Sequence, residues 1–93
     1  MNKAESAYLG KVARLGCVAC NLLGFDVEDV QPEIHHPRTD EGMGERASHW
    51  LAIGLCPTHH RGPNGVHGDK GILRQLKCSE LDLLAWVISR TQS

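Results

Sequence analysis

Six histidines and four cysteines give this 93-residue chain most of its chemical potential, and their spacing is uneven. Cys17 and Cys20 form a C-x2-C pair, and after a gap of 35 residues Cys56 and His59 form a C-x2-H pair. A two-residue gap in a tight turn brings both side chains to one side, so each pair can offer two donors to one ion. Four sulfur and nitrogen donors in two such pairs suit Zn²⁺, which takes thiolates at ~2.3 Å and imidazole at ~2.0–2.1 Å in a tetrahedron. The alternatives are a redox-active C-x-x-C and ordinary buried cysteines. A thioredoxin-type motif expects a βαβ context, which is not visible here. Haem attachment needs His directly after the second Cys, where this chain has Asn21. Structural zinc on Cys17, Cys20, Cys56 and His59 is therefore expected. Cys78 stands apart from both pairs and reads as a buried or helix-start thiol.

His35, His36, His60 and His67 form a second constellation. Neighbouring residues on a strand point to opposite faces, so one of His35 and His36 can hold a metal while the other faces a substrate. His60 follows His59 directly, and on a helical turn it points about 100° away from it. His67 lies beyond Gly62-Pro63-Asn64-Gly65, a bend able to fold it back toward the same pocket. This set suits metal-assisted hydrolysis, which needs a Lewis acid at the scissile group and a base for the attacking water. Histidine titrates close enough to neutrality to be that base. The plainer alternative is four surface or helix-cap histidines with no common ligand.

The elements that must position these residues are short. Residues 2–15 read as an amphipathic helix with Ala4, Tyr8, Val12 and Leu15 at helical spacing, Asn2 and Glu5 as a capping box, and Gly16 as its stop. Residues 17–25 read as a tight knuckle and turn. Strands are expected at Val30–His36, with Pro32 favouring an edge, and at Trp50–Leu55. Between them, residues 37–48 form a polar loop. A helical turn starts at Cys56 with Pro57 in its first turn, and residues 62–68 break it. Helices are expected over 69–77 and 80–91, the second capped by Ser79 with Asp82 and burying Leu81, Leu84, Ala85 and Ile88.

Composition limits the rest. One compact domain fits this length, and a chain this small needs a staple beyond its core. The net charge of −1 excludes a strongly basic, tail-driven nucleic-acid binder but not DNA binding, because a bound dication adds charge that the count omits. No apolar run nears the ~20 residues of a membrane span, and no basic-then-apolar leader is present. The expectation is a cytoplasmic protein with no membrane partner. Arg38, Arg46 and Arg61 lie in loops around the proposed metal, and Arg38 and Arg61 are the candidates for phosphate contact. Interleaved Asp40, Glu41, Glu45 and Asp69 keep open the alternative of a mixed-charge solvated surface. With 4% aromatic residues there is no ladder for stacking bases, so backbone-directed rather than base-stacking recognition is expected.

The segments "EIHHPR", "HWLAIGLCPTHH" and "GPNGVHG" together resemble the HNH, or ββα-metal, nucleases. More narrowly, residues 17–77 are similar to the phage recombination-enhancement (Ref-type) nucleases, described as RecA-dependent endonucleases. The resemblance implies an α+β fold: a small zinc-stabilised treble-clef ββα-metal (His-Me finger) domain over 1–93. Its parts would be an N-terminal helix in 1–16, a zinc-bound core in 17–77 and a C-terminal helix in 79–93. It implies a metal-dependent DNA endonuclease encoded by a phage or prophage, linked to recombination and acting in a bacterial host with RecA filaments. His36 would be the general base, and His35, His60 and His67 would hold a catalytic Mg²⁺, Mn²⁺ or Zn²⁺. The family's middle Asn has no counterpart between Thr39 and Cys56, and His49 is the nearest polar candidate for its pinning role. The basic N-terminal extension of the Ref-type proteins has no counterpart in these residues. The alternative function is a non-catalytic, zinc-stabilised DNA-binding or interaction module.

Overall fold

The computed structural model describes residues 1–28, 30–37 and 48–92. The architecture is α+β, a two-stranded antiparallel sheet surrounded by helices. Helix α1 spans Lys3–Arg14 and begins on the expected capping box: Asn2 Oδ1 accepts from the Glu5 N–H at 2.8 Å, and Glu5 Oε1 accepts from the Asn2 N–H at 2.9 Å. Gly16 takes φ +75° just past its end, the left-handed turn that glycine adopts without a side-chain clash. Val12 is fully buried, Tyr8 and Leu15 pack at the core's edge, and Ala4 is exposed.

The knuckle at 17–25 is itself helical. Helix α2, Val18–Leu23, starts on Cys17, whose Sγ accepts from the Cys20 N–H at 3.4 Å. A thiol pair at the N-cap and third position keeps its two-residue gap while gaining a helix behind it. Asn21 Nδ2 donates to the Leu15 and Cys17 carbonyls at 2.9 and 3.0 Å, tying α2 to the end of α1.

The two strands are shorter than hydropathy suggests: β1 is Glu33–His35 and β2 is Ile53–Leu55. Pro32 cannot donate to a ladder, and Val30 closes a turn onto the Val27 carbonyl. On the other strand the Leu51 N–H bonds back to Ser48, so residues before Ala52 turn instead of pairing. The register sets Glu33 opposite Leu55, Ile34 opposite Gly54 and His35 opposite Ile53. Alternation therefore puts Glu33, His35, Ile53 and Leu55 on one face, with Ile34 and Gly54 on the other. The end of helix α1 and the turn after it lie close on the second face: a Cβ on Gly54 would lie 2.8 Å from the Gly16 carbonyl oxygen, 3.3 Å from Pro32 Cβ and 3.5 Å from the Val12 carbonyl oxygen.

Helices α3 (Pro57–Arg61), α4 (Gly71–Leu76) and α5 (Glu80–Thr91) complete the chain. Helix α4 starts two residues later than expected because Lys70 adopts φ +62° and Asp69 Oδ1 accepts from the Gly71 N–H at 2.7 Å. Helix α5 has the predicted Ser79–Asp82 capping box, but its buried face is Leu83, Leu84 and Val87. Leu81 and Ala85 are exposed and Ile88 is half-buried, a rotation of the apolar stripe relative to expectation. The periodicity of "ELDLLAWVIS" allows either stripe, and contact with α2 and β2 selects one. Cys78 is half-buried just before the Ser79 cap, its thiol directed to the Leu76 carbonyl at 3.4 Å. Among the described residues no helix is long and apolar enough to cross a membrane.

The close approach at residue 54 gives a test of the packing. Gly54→Ala is expected to destabilise the protein by about 1–3 kcal/mol, the usual cost of overpacking against backbone. A lower urea midpoint with an unchanged slope would report it.

Candidate metal centres

Two side-chain clusters lie on either side of α3. In the first, the donor atoms of Cys17, Cys20, Cys56 and His59 all lie within 4.8 Å of one another. Cys17 and Cys20 arrive on the first turn of α2. Cys56 is the N-cap of α3 and His59 sits in that helix, again at cap and third position. His59 Nδ1 is 3.5 Å from Cys17 Sγ, 3.5 Å from Cys20 Sγ and 3.2 Å from Cys56 Sγ, and the Cys20 and Cys56 sulfurs are 3.9 Å apart. A tetrahedral ion at ordinary bond lengths would set sulfur–sulfur edges near ~3.8 Å and sulfur–nitrogen edges near ~3.6 Å. The cluster has the size and donor chemistry of a structural metal site.

Its electrostatics agree. Burial, and then the neighbouring Cys17 thiol, push the Cys20 thiol up to about 12, and burial raises Cys17 as well. Burial lowers His59. All three shifts disfavour charge on the bare protein, and a bound dication reverses them for the thiols by stabilising thiolate.

The second cluster is His35, His60 and His67, whose ligand nitrogens also lie within 4.8 Å of one another. Ring centroids are 5.1 Å apart for His35–His60, 5.0 Å for His35–His67 and 4.7 Å for His60–His67. His35 comes from the end of β1 and, at 7% exposure, is the buried polar side chain of the described residues. His60 comes from α3, one residue beyond the first cluster's ligand and so turned to a different side. His67 is returned by the bend after α3: the Val66 N–H donates to the His59 carbonyl at 2.9 Å and the His67 N–H to the His60 carbonyl at 3.0 Å. That return requires glycine at 65, where a Cβ would lie 2.7 Å from the His59 carbonyl oxygen.

Two carboxylates that the motif reading did not single out stand behind these rings. Glu33 Oε1 lies 2.8 Å from His60 Nδ1, and Glu80 Oε1 lies 2.6 Å from His35 Nε2. Metal-ligating histidines commonly have the second ring nitrogen held this way. Glu33 was findable: it lies two residues before His35 on one strand and therefore shares its face. Glu80 is 45 positions from its partner and carries no local signal.

Arg61 also bonds Glu33, through Nε at 2.9 Å and through Nη2 to the second oxygen. The Arg61 guanidinium and then His60 hold the Glu33 carboxyl below its ordinary value, and Glu33 raises Arg61. The fork expected to meet phosphate is thus engaged with protein. Arg38, the other phosphate candidate, and Arg46 lie outside the described residues.

His36 does not join the triad. Its Nε2 is 3.1 Å from His49 Nδ1, with ring centroids 5.1 Å apart. Burial, and then the nearby His49 and His35, lower the His36 pKa and favour its neutral ring.

Over residues 3–74 the chain matches the model of the recombination enhancement, RecA-dependent nuclease family. The chain belongs to that family. No curated protein and no solved structure matches it.

Purified protein is expected to hold one tightly bound metal ion per chain at the cysteine-rich cluster. Elemental analysis of Cys56→Ser should show that ion lost. Helical circular dichroism should fall with it, because a structural metal contributes on the order of 10 kcal/mol to a small domain.

Proposed function

We propose that this protein is an HNH-type, metal-dependent DNA endonuclease. In this reading a zinc-bound treble clef carries a hydrolytic site, and RecA filaments present the substrate. The observation that carries it is the convergence of His35, His60 and His67 beside a separate four-donor cluster. Four donors close a structural site, whereas three leave positions for water and substrate, the usual division between structural and catalytic zinc. The family supports nuclease activity in recombination and dependence on RecA.

The donor chemistry fits a catalytic dication. All three groups are imidazoles, two backed by carboxylates, and imidazole suits transition metals better than Mg²⁺. When bound, the ion would supply a Lewis acid for the scissile phosphate and leaving oxygen. The protein's own residues supply the rest. With Nε2–H of His36 donating to His49 Nδ1, the lone pair of His36 sits on Nδ1, where it accepts the proton of the attacking water. The water oxygen bonds to phosphorus, the bond to the leaving oxygen breaks, and that oxygen takes a proton from solvent. His49 fills the pinning role that Asn has in related motifs, using one ring nitrogen to fix the base. Phosphate contact by Arg61 would exchange Glu33 for a DNA oxygen, while Arg38 remains a candidate for such a contact.

The test is nicking of duplex DNA carrying RecA filaments, with Mn²⁺, Zn²⁺ or Mg²⁺ added to zinc-loaded protein. His36→Ala is expected to lose on the order of 10²–10⁴ of the rate while keeping DNA affinity, the scale of a missing general base. His60→Ala should lose activity together with the second, exchangeable ion. Wild-type protein that binds DNA but never cuts it under these conditions would defeat the nuclease reading in favour of a binding module.

A further inference from the structure

Glu80 lies beyond residues 3–74 that the family model covers, on a helix that otherwise serves the core. We infer that Glu80 is a positioning residue for the ion held by His35, His60 and His67, which makes α5 a working part of that site. The inference rests on the metal-site reading above. A carboxylate offers only acceptors, so the 2.6 Å contact requires an N–H at His35 Nε2. That tautomer leaves the lone pair on Nδ1, and Nδ1 becomes the donor atom for the ion. Glu33 performs the corresponding task on His60 through Nδ1, leaving Nε2 as that ring's donor. Two of the three rings are thereby oriented before any ion arrives.

Three features separate this role from a simple tie between α5 and the sheet. The contact is sheltered, with side-chain exposures of 8% for His35 and 23% for Glu80, so it is weakly screened by solvent. Helix α5 already docks through Leu83, Leu84 and Val87, and does not need an ion pair to hold it. Glu80 is the first residue of α5, and the Ser79–Asp82 box fixes the start of that helix, so the carboxylate is delivered from a rigid turn. Glu80 is not among the three clustered donors, which places it behind the ring instead of on the ion.

The experiment is a Mn²⁺ titration of the full zinc-loaded chain, followed by the electron paramagnetic resonance signal of free Mn²⁺. Mn²⁺ sits lowest in the divalent affinity order and prefers hard ligands, so it does not displace zinc from thiolates. Glu80→Ala is expected to weaken Mn²⁺ binding by about 10–100-fold, the usual effect of losing an outer partner of a ligand. Glu80→Gln, which keeps an acceptor, should fall between that variant and wild type, and cleavage by both should recover at saturating Mn²⁺. Wild-type Mn²⁺ affinity in Glu80→Ala would overturn the inference and leave the metal site standing. If Glu80→Ala does not fold, unchanged affinity in Glu80→Gln would overturn it equally. Where Mn²⁺ does not bind, a second equivalent of Zn²⁺ carries the same comparison, and wild-type protein that binds neither would overturn both this inference and the metal-site reading.

Discussion

The four-donor cluster at Cys17, Cys20, Cys56 and His59 is the constraint on which the rest of the molecule depends. Helices α2 and α3 have six and five residues, far below the ~12–15 at which an isolated helix becomes even marginal in water. Each begins on one of the cluster's cysteines. A shared ion would convert two unstable turns into a fixed pair, and the hairpin between them would inherit their spacing. The large apolar side chains Ile53 and Leu55 are fully buried beside this junction, so the cluster and the core stabilise the same arrangement.

The histidine triad follows from that junction. His59 and His60 are consecutive on α3, so anchoring the first ring directs the second to another side of the helix. The bend after α3 returns its own N–H groups to the His59 and His60 carbonyls, which satisfies helix-end acceptors and lays His67 beside His60 in one step. His35 enters from the strand face shared with Glu33. Convergence here is the result of one anchored turn, one reversed loop and the alternation of a strand. The carboxylates of Glu33 and Glu80 then orient the rings from outside the cluster, one from the sheet and one from α5.

The separation of His36 from the triad has chemical value. In the proposed mechanism a base coordinated to an ion could not accept a proton, so adjacent histidines with different partners would divide the two tasks. His35 meets His60, His67 and Glu80, whereas His36 meets His49. The alternation of side chains along an extended backbone achieves this with no intervening residue.

The amino-acid sequence determined the local features by itself. The C-x2-C and C-x2-H pairs specify shared donors because a two-residue gap leaves little geometric choice, and the Asn2–Glu5 and Ser79–Asp82 boxes specify helix starts through interactions three residues apart. Doubled histidine on a strand pattern, a histidine following the second donor pair and another beyond the glycine bend marked His35, His36, His60 and His67, of which His35, His60 and His67 converge. Tertiary structure decided what depends on distant neighbours. It selected Leu83, Leu84 and Val87 over Leu81 and Ala85 as the buried stripe of α5, since helical periodicity permits either. It shortened both strands, because turns at Val30 and Leu51 compete with pairing. It brought Glu80 to His35 and engaged Arg61 with Glu33, contacts whose partners lie tens of residues apart and whose residue types, taken singly, read as solvated surface charge.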